Sequence, residues 1–226
     1  MKKTGILILL LVAGSLAYGK EYHVSVKGND ANQGTETAPF RSIGQAAQAA
    51  YPGDVVTVHA GTYREWINPP RGGTSDDARI VYRAAPGERV EIKGSEVVNT
   101  WTKEAGGVWK VTLPNSFFGD YNPYADLIYG DWFDGRGRIH HTGEVFLKNK
   151  SLYEKETLDK VRNPEIHPDS KDPEASKYTW YCESDAENTT IWANFHQYNP
   201  NKELVEISVR RTCFYPEKPG INYLTV

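Results

Sequence analysis

Carboxylate side chains that could work as a general acid and a general base occur in two combinations in this 226-residue sequence. The first is Asp131 with Glu144, and the second is Glu65 with Asp76 and Asp77. An acid and a base that act on one substrate must lie on the same face of the fold. Because the spacing of neither combination indicates a shared face, we expect all of these groups to be carboxylates of the protein surface.

Two histidines and two arginines stand side by side, at His140–His141 and Arg210–Arg211. Histidine is a common metal ligand, but adjacent residues of a strand point to opposite faces and cannot both bind one ion. An arginine could serve as the base of a polysaccharide lyase, a class of enzyme that also needs an acidic cluster to hold calcium. The dipeptide Asp76–Asp77 is too small for that purpose. The sequence therefore predicts neither a metal site nor a cofactor.

The N-terminus has the parts of a secretory signal peptide. Lys2–Lys3 supplies positive charge, and residues 6–17 form an apolar run that is too short to span a bilayer. Small residues at Ala17 and Gly19 fit the positions that a signal peptidase reads, so we predict a signal peptide over residues 1–19. The mature protein would then be exported to the periplasm or outside the cell, with no membrane association after cleavage.

The predicted export affects the expected redox state of the two cysteines, Cys182 and Cys213. An oxidising compartment permits a disulfide between them. Each cysteine also lies in a strand-like run beside aromatic residues, where a buried free thiol is equally compatible with the pattern. The sequence leaves both alternatives open.

Charge and composition narrow the classes of function. The formal net charge is −3 and lysine and arginine form no cluster, which argues against a nucleic-acid-binding protein. The chain contains six Trp, 14 Tyr, 20 Gly and 13 Pro, and it has little helical periodicity, so we expect an all-β fold rich in turns. Most aromatic rings are expected on strand faces and in the core, and only a minority can stack on a sugar.

The elements that would position these side chains begin with a short Ala-rich helix. A capping box at Ser42–Gln45 starts the helix, and Pro52–Gly53 ends it. Short strands follow at Val55–Val58, Ile80–Tyr82 and Val90–Ile92, and no two-residue hairpin turn joins them. This spacing predicts coils of a parallel β-helix, with the helix as the cap of the first coil. An antiparallel sandwich fits this region less well.

A different pattern follows these strands. Alternating runs separated by turns predict antiparallel hairpins, and hence a small β-sandwich over residues 99–203. The runs Leu204–Val209 and Gly220–Val226 then resemble the earlier strands. We therefore expect an insertion between coils, with the β-helix in residues 20–98 and 204–226. Because the sequence stops within such a strand, we also expect the β-helix to be truncated.

Three blocks are specific enough to indicate a family: Leu113-Pro-Asn-Ser-Phe-Phe-Gly119, Gly130-Asp-Trp132 and Arg210-Arg-Thr-Cys-Phe-Tyr-Pro216. The stretches His59–Trp66 and Gly143–Val145 agree with them. Together these blocks resemble the β-xylosidases of glycoside hydrolase family 120. The resemblance runs through the whole chain after the predicted signal peptide.

The resemblance implies a right-handed parallel β-helix interrupted by an immunoglobulin-like β-sandwich. It also implies retaining hydrolysis of β-1,4-linked xylo-oligosaccharides from their non-reducing ends, without a cofactor. Two carboxylates perform this reaction, one as nucleophile and one as acid/base. The family carries both on later coils, beyond the part that this chain matches. The resemblance therefore implies no catalytic residue in this chain, and we expect the chain to be inactive alone.

One site of the family falls within the chain. Trp132 matches the tryptophan that forms part of the substrate pocket, where an indole face stacks on a pyranose ring. The alternative for Trp132 is a ring buried in the sandwich. Asp131 could accept a hydrogen bond from a sugar hydroxyl, although a turn carboxylate explains it as well. The implied partner is a xylo-oligosaccharide, and the oligomeric state stays open, a homo-oligomer included.

Two other classes of function stay open on the sequence. One is a β-helix polysaccharide lyase, which would release an unsaturated product from a uronic polymer and lose activity on chelation. The other is a non-catalytic carbohydrate-binding or structural module, which would fold cooperatively on its own.

Overall fold

The computed structural model describes residues 19–226, so the predicted signal peptide lies outside the described residues except for Gly19. The helices are α1 (Ile43–Ala49) and α2 (Leu158–Arg162), with 3-10 turns at Asp76–Ala78, Asn115–Phe118 and Glu174–Lys177. The strands are β1 (Glu21–Val24), β2 (Val55–Val58), β3 (Gly61–Tyr63), β4 (Ile80–Ala84), β5 (Val90–Ile92), β6 (Ser95–Val97), β7 (Thr102–Lys103), β8 (Val108–Pro114), β9 (Val145–Leu147), β10 (Lys150–Ser151), β11 (Tyr153–Glu154), β12 (Thr179–Ser184), β13 (Asn188–Asn194), β14 (Val205–Ser208) and β15 (Leu224–Thr225).

The expectation of an all-β protein is confirmed, because strands outnumber the two short helices throughout the described part. Within residues 19–226, no helix is both long enough and apolar enough to cross a membrane.

Parallel pairing dominates the first part of the chain. The strands β1, β2, β4 and β15 form one parallel sheet in that order, and β3 pairs in parallel with β5. Alternate residues of each strand face the same side, so Val56 and Val58 of β2 are buried together with Ile80 and Tyr82 of β4. Burying each such aliphatic side chain contributes about 2 kcal/mol before the cost of chain ordering is subtracted.

Helix α1 covers one end of this parallel core, as the sequence predicts. Its small apolar face is buried against β1 and β2. The Ser42 side chain accepts a hydrogen bond from the Gln45 N–H (3.2 Å), which confirms the first half of the capping box. Asp30 instead of Gln45 supplies the second half, since its carboxylate accepts the Ser42 N–H at 2.8 Å.

The second part of the chain is built from two mainly antiparallel sheets. One has the order β11-β12-β13-β8-β7, and the other has the order β10-β9-β14-β6. The predicted hairpin across Gly106–Gly107 is confirmed, because β7 pairs antiparallel with β8. Both sheets contribute to one hydrophobic core, which includes Trp101, Trp180, Ile191 and Ile207.

One strand lies in a different sheet from the one that we expected. The Val-Glu-Ile motif in Leu204–Val209 resembles that of Val90–Ile92 and predicts a strand that resumes the parallel coils. In the structure, β14 pairs antiparallel with β6 and β9, and Val205 and Ile207 are fully buried in the antiparallel core. The same alternation fits either sheet, so the motif alone cannot identify the partner strand. Parallel contact resumes at Phe214, which bridges to Ile67, and then at β15.

The two cysteines are free thiols, so the disulfide alternative is wrong. Cys182 is buried on β12 in the antiparallel core, where its thiol approaches the carbonyl of Tyr124 at 3.6 Å. Cys213 lies beside the parallel strands, with its carbonyl accepting the N–H of Ile67. Because the two residues belong to different parts of the fold, no bond joins them.

Candidate functional site

A long loop, residues 125–143, precedes β9 at one end of the antiparallel part. Its two ends are joined by backbone hydrogen bonds. The N–H of Ile128 donates to the carbonyl of His140 over 2.8 Å, and the N–H of Thr142 donates to the carbonyl of Asp126 over 3.0 Å. The residues between these pairs form an exposed tip. We call residues 125–143 the tryptophan loop.

Trp132 lies at this tip with 76% of its surface exposed, so the alternative of a ring buried in the sandwich is wrong. The indole packs against the ring of Phe133, with the centroids 5.7 Å apart and the planes at 67°. Gly130 has a φ of +146°, and a Cβ at this position would lie 2.6 Å from Nε1 of Trp132. Glycine is therefore required for this turn. Asp131 is also exposed, and sugar contact by either residue stays a prediction.

A cavity of about 610 Å³ lies beneath the tryptophan loop, between the base of the loop and the strands β11 and β12, and both polar and apolar side chains line it. Burial lowers the pKa of the Lys155 ammonium group, which contacts Nε2 of His167 at 3.1 Å. The ionisable residues that line the cavity include Arg138, His140, His141, Glu144, Glu154 and Lys155.

Glu144 is not the surface carboxylate that we expected. Burial raises its pKa to about 7, and the nearby charge of Glu154 acts in the same direction. Its carboxyl group accepts hydrogen bonds from the indole N–H of Trp180 and from the N–H of Val145, both at 3.0 Å. A carboxyl group with a pKa near neutrality can exchange a proton at physiological pH. Its position directly before a buried strand, in the block Gly143–Val145, was the available signal in the sequence.

His140 and His141 point to the same partner, contrary to the expectation that they face opposite sides. Nδ1 of His141 lies 2.5 Å from one oxygen of Glu154, and Nδ1 of His140 lies 3.8 Å from the other. The alternation rule does not apply because these residues belong to the base of a loop and not to a regular strand. No group of three or more metal-ligating side chains occurs among residues 19–226.

The remaining candidates serve local structure. Glu65 does not pair with an acid: its two carboxylate oxygens accept the N–H groups of Ile43 and Gly44 at the start of α1, at 2.8 and 2.7 Å. Asp76 forms an ion pair with Arg79 at 2.5 Å.

The two adjacent arginines are engaged as well. Arg210 forms an ion pair with Glu96 at 2.5 Å, and the guanidinium of Arg211 stacks over the ring of Tyr121 at 4.5 Å. Among residues 19–226, neither arginine faces an acidic cluster of the kind that a calcium-dependent lyase needs.

Comparison with known families identifies two regions of the chain. The model of a family described as glycoside hydrolase 120, insertion domain, matches residues 98–207. A second model, described as a protein of unknown function (DUF1565), matches residues 26–68. The first match covers the tryptophan loop and both antiparallel sheets except β6, which precedes residue 98, and the last residue of β14.

Two individual proteins are similar to this chain. A solved structure described as the complex structure of XylC with xylose is 45% identical over 90% of this chain, with a TM-score of 0.88. The uncharacterized protein YwoF of Bacillus subtilis (strain 168) is 37% identical over 81 residues, or 36% of this chain. The chain spans 34% of the length of the XylC chain and 17% of the length of YwoF.

Proposed function

We propose, from the premise that this chain belongs to glycoside hydrolase family 120, that it forms the N-terminal portion of an exported retaining β-xylosidase acting on xylo-oligosaccharides. The observation that carries the proposal is the 45% identity, over 90% of this chain, to XylC, a protein solved in complex with xylose. The match of the family 120 insertion domain to residues 98–207 supports it independently.

The architecture that we propose is a right-handed parallel β-helix interrupted by an immunoglobulin-like sandwich. The parallel sheet β1-β2-β4-β15 supports the first part, and the shared core of the two antiparallel sheets supports the second. Since β14 belongs to the antiparallel core, we extend the proposed insertion from the predicted end at residue 203 to Ser208.

We propose that Trp132 contacts the sugar. An exposed indole on a loop of an otherwise well-packed domain presents a flat apolar face to which the C–H groups of a pyranose can stack. Its edge contact with Phe133 and the tight turn at Gly130 limit the number of orientations that the ring can adopt. Asp131, exposed beside it, is proposed to accept a hydrogen bond from a sugar hydroxyl.

Retaining hydrolysis needs two carboxyl groups about 5 Å apart. The resemblance assigns neither of them to a residue of this chain. We therefore propose that residues 20–226 contribute sugar contact and structural support, and that they hydrolyse no xyloside by themselves. The signal peptide predicted over residues 1–19 supports export, to the periplasm or beyond it.

The role of Trp132 is tested with purified natural full-length protein and xylobiose as the substrate. We expect Trp132→Ala to raise KM about tenfold, because loss of a stacked aromatic contact costs on the order of 1.4 kcal/mol. The matched control is Trp66→Ala, which removes another partly exposed tryptophan whose N–H donates to the carbonyl of Tyr215. Equal kinetic constants for the Trp132 variant and wild type would exclude sugar contact by this residue.

A further inference from the structure

The tryptophan loop does not rest on a hydrophobic core. The cavity of about 610 Å³ lies between parts of its base and the strands β11 and β12, which are in contact through the Glu154 side chain. A loop with an exposed tip, whose base borders a cavity, gains little from apolar burial, so a small number of contacts at its base must fix its position. Those contacts decide how the indole of Trp132 is presented.

A continuous series of contacts connects Trp132 with the sheet. The indole meets the ring of Phe133 with centroids 5.7 Å apart, and Phe133 meets the ring of His140 with centroids 5.4 Å apart. The planes cross at 67° and 86°, which are the edge-to-face arrangements that aromatic pairs favour. His140 stands at the base of the loop, where its Nδ1 faces Glu154 at 3.8 Å.

Glu154 holds the base of the loop at two further points. Its carboxylate lies 2.5 Å from Nδ1 of His141, and it also accepts the backbone N–H of His141 at 3.1 Å. The Glu154 side chain is only 14% exposed, and it belongs to β11, which pairs in parallel with the neighbouring strand β12. One carboxylate on a fixed strand therefore contacts two successive residues of the loop.

We propose that Glu154 is a positioning residue for sugar binding: acting through His140 and Phe133, it fixes the orientation of the Trp132 indole. The proposal rests on the proposed function in one respect, namely that Trp132 contacts the sugar. Glu154 itself touches no substrate. Its effect is to reduce the conformational freedom that Trp132 must lose when a sugar binds.

A second contact from the same region to the loop is weaker. Arg138 lies 3.7 Å from Glu156, and both side chains are about one-third exposed, which makes this pair a surface ion pair. This ion pair also does not belong to the series of ring contacts that leads from Trp132 through Phe133 to His140. Of the two carboxylates, Glu154 is thus the one whose removal should affect Trp132 more.

The experiment uses the natural full-length protein labelled with 5-fluorotryptophan, with the Trp132 resonance assigned from Trp132→Phe. We expect Glu154→Ala to move and narrow the 19F resonance of Trp132 toward that of a freely rotating ring. We also expect it to raise KM for xylobiose about fivefold while kcat changes less than twofold, as loss of pre-organised binding predicts. The control Glu183→Ala removes an exposed carboxylate of β12 that contacts only Tyr181 among the described residues, and it should change neither quantity.

Two variants of His140 separate the carboxylate contact from the ring contact. His140→Phe keeps an aromatic ring beside Phe133 but loses the partner of Glu154, and it should reproduce part of the effect of Glu154→Ala. His140→Ala loses both contacts and should shift the Trp132 resonance further than His140→Phe does, although Glu154 keeps its contacts with His141. These variants also keep the proposal falsifiable if Glu154→Ala fails to fold.

Different results would overturn the proposed positioning role of Glu154 and the proposed function of the protein. An unchanged Trp132 resonance in folded Glu154→Ala and in both His140 variants overturns the proposed positioning, whatever the activity. A wild-type protein that neither binds nor hydrolyses xylobiose contradicts the proposed function, while the fluorine resonance still reports whether Glu154 orients the ring. A shifted resonance together with a raised KM supports both.

Discussion

Glu144 is the residue whose chemistry departs most from its ordinary solution behaviour. Its carboxyl group is largely removed from water and receives two hydrogen bonds, from the indole of Trp180 and from the backbone of Val145. Burial favours the neutral acid and raises its pKa to about 7, well above that of an ordinary glutamate. The folded protein therefore binds this proton more tightly than the unfolded chain does.

This difference makes stability depend on pH. The contribution of protonated Glu144 is fully present below the unfolded pKa of 4.5 and is lost as pH rises through the folded pKa of about 7. We expect the free energy of unfolding of Glu144→Gln, relative to wild type, to increase by about 3 kcal/mol between pH 4 and pH 8. Denaturant unfolding at a series of pH values measures the difference, with Glu183→Gln as the control for net charge. A difference that stays constant with pH would contradict the assigned burial.

The sequence could locate Trp132 but not the group of side chains beneath it. A three-residue block identifies the tryptophan by resemblance, and the exposed ring agrees with that assignment without testing its role. Glu144, Glu154 and the two histidines meet only because the loop folds back over β11. Residues that are distant in sequence and meet only in the fold leave no periodic pattern in a single sequence. The alternation rule for strands therefore predicts opposite faces for the two histidines, which is wrong for residues of a loop.

At the level of elements, the parallel and antiparallel parts are joined by a buried ion cluster around Glu206. This residue of β14 is 2% exposed. Its carboxylate contacts Arg64 at 2.6 Å, Lys93 at 2.9 Å and the hydroxyl of Ser95 at 3.1 Å. Burial alone would favour the neutral acid, but the hydrogen bonds from Lys93 and Arg64 outweigh it and lower the pKa of Glu206.

Removing the Glu206 carboxylate should weaken the contact between the parallel and antiparallel parts. We expect Glu206→Ala to destabilise the protein by about 2–4 kcal/mol, because it leaves two largely buried cations without their partner. The loss of stability should be greater at neutral pH than at low pH. Because folding lowers the pKa of Glu206, its contribution to stability is fully present above the pKa of the unfolded chain and is lost as the pH falls through the lowered pKa of the folded protein. Thermal unfolding measures the effect.

A matched substitution is Glu203→Ala, which removes a more exposed ion pair with Lys148 at 3.1 Å. It should cost less than about 1 kcal/mol. Equal destabilisation by the two substitutions would show that the Glu206 cluster has no special role in joining the parts.

Local elements were predictable where one short segment contains the whole signal. The capped helix α1 follows from Ser42 and the spacing of its alanines, and the strand β2 follows from its β-branched residues. Strand β14 was assigned to the wrong sheet because Val-Glu-Ile fits both a parallel coil and an antiparallel core. Partner choice depends on contacts more than a hundred residues apart in sequence, such as that between Glu206 and Lys93.

At the level of the whole molecule, the chain combines two hydrophobic cores. One lies under the parallel strands and α1, and the other lies between the antiparallel sheets that match the family 120 insertion domain. The antiparallel part presents the tryptophan loop, and the buried ion cluster fixes that part against the parallel strands. In the proposed enzyme Trp132 contacts the sugar, and the resemblance assigns neither of the two reacting carboxylates to a residue of this chain.

The most direct test of the proposed function is product analysis of the natural full-length protein acting on xylobiose, followed by proton NMR at early times. The account predicts xylose as the product, released first as the β-anomer because two successive displacements retain the configuration. It would be contradicted by the absence of xylose, by initial release of the α-anomer, or by activity only on a uronic polymer with an unsaturated product.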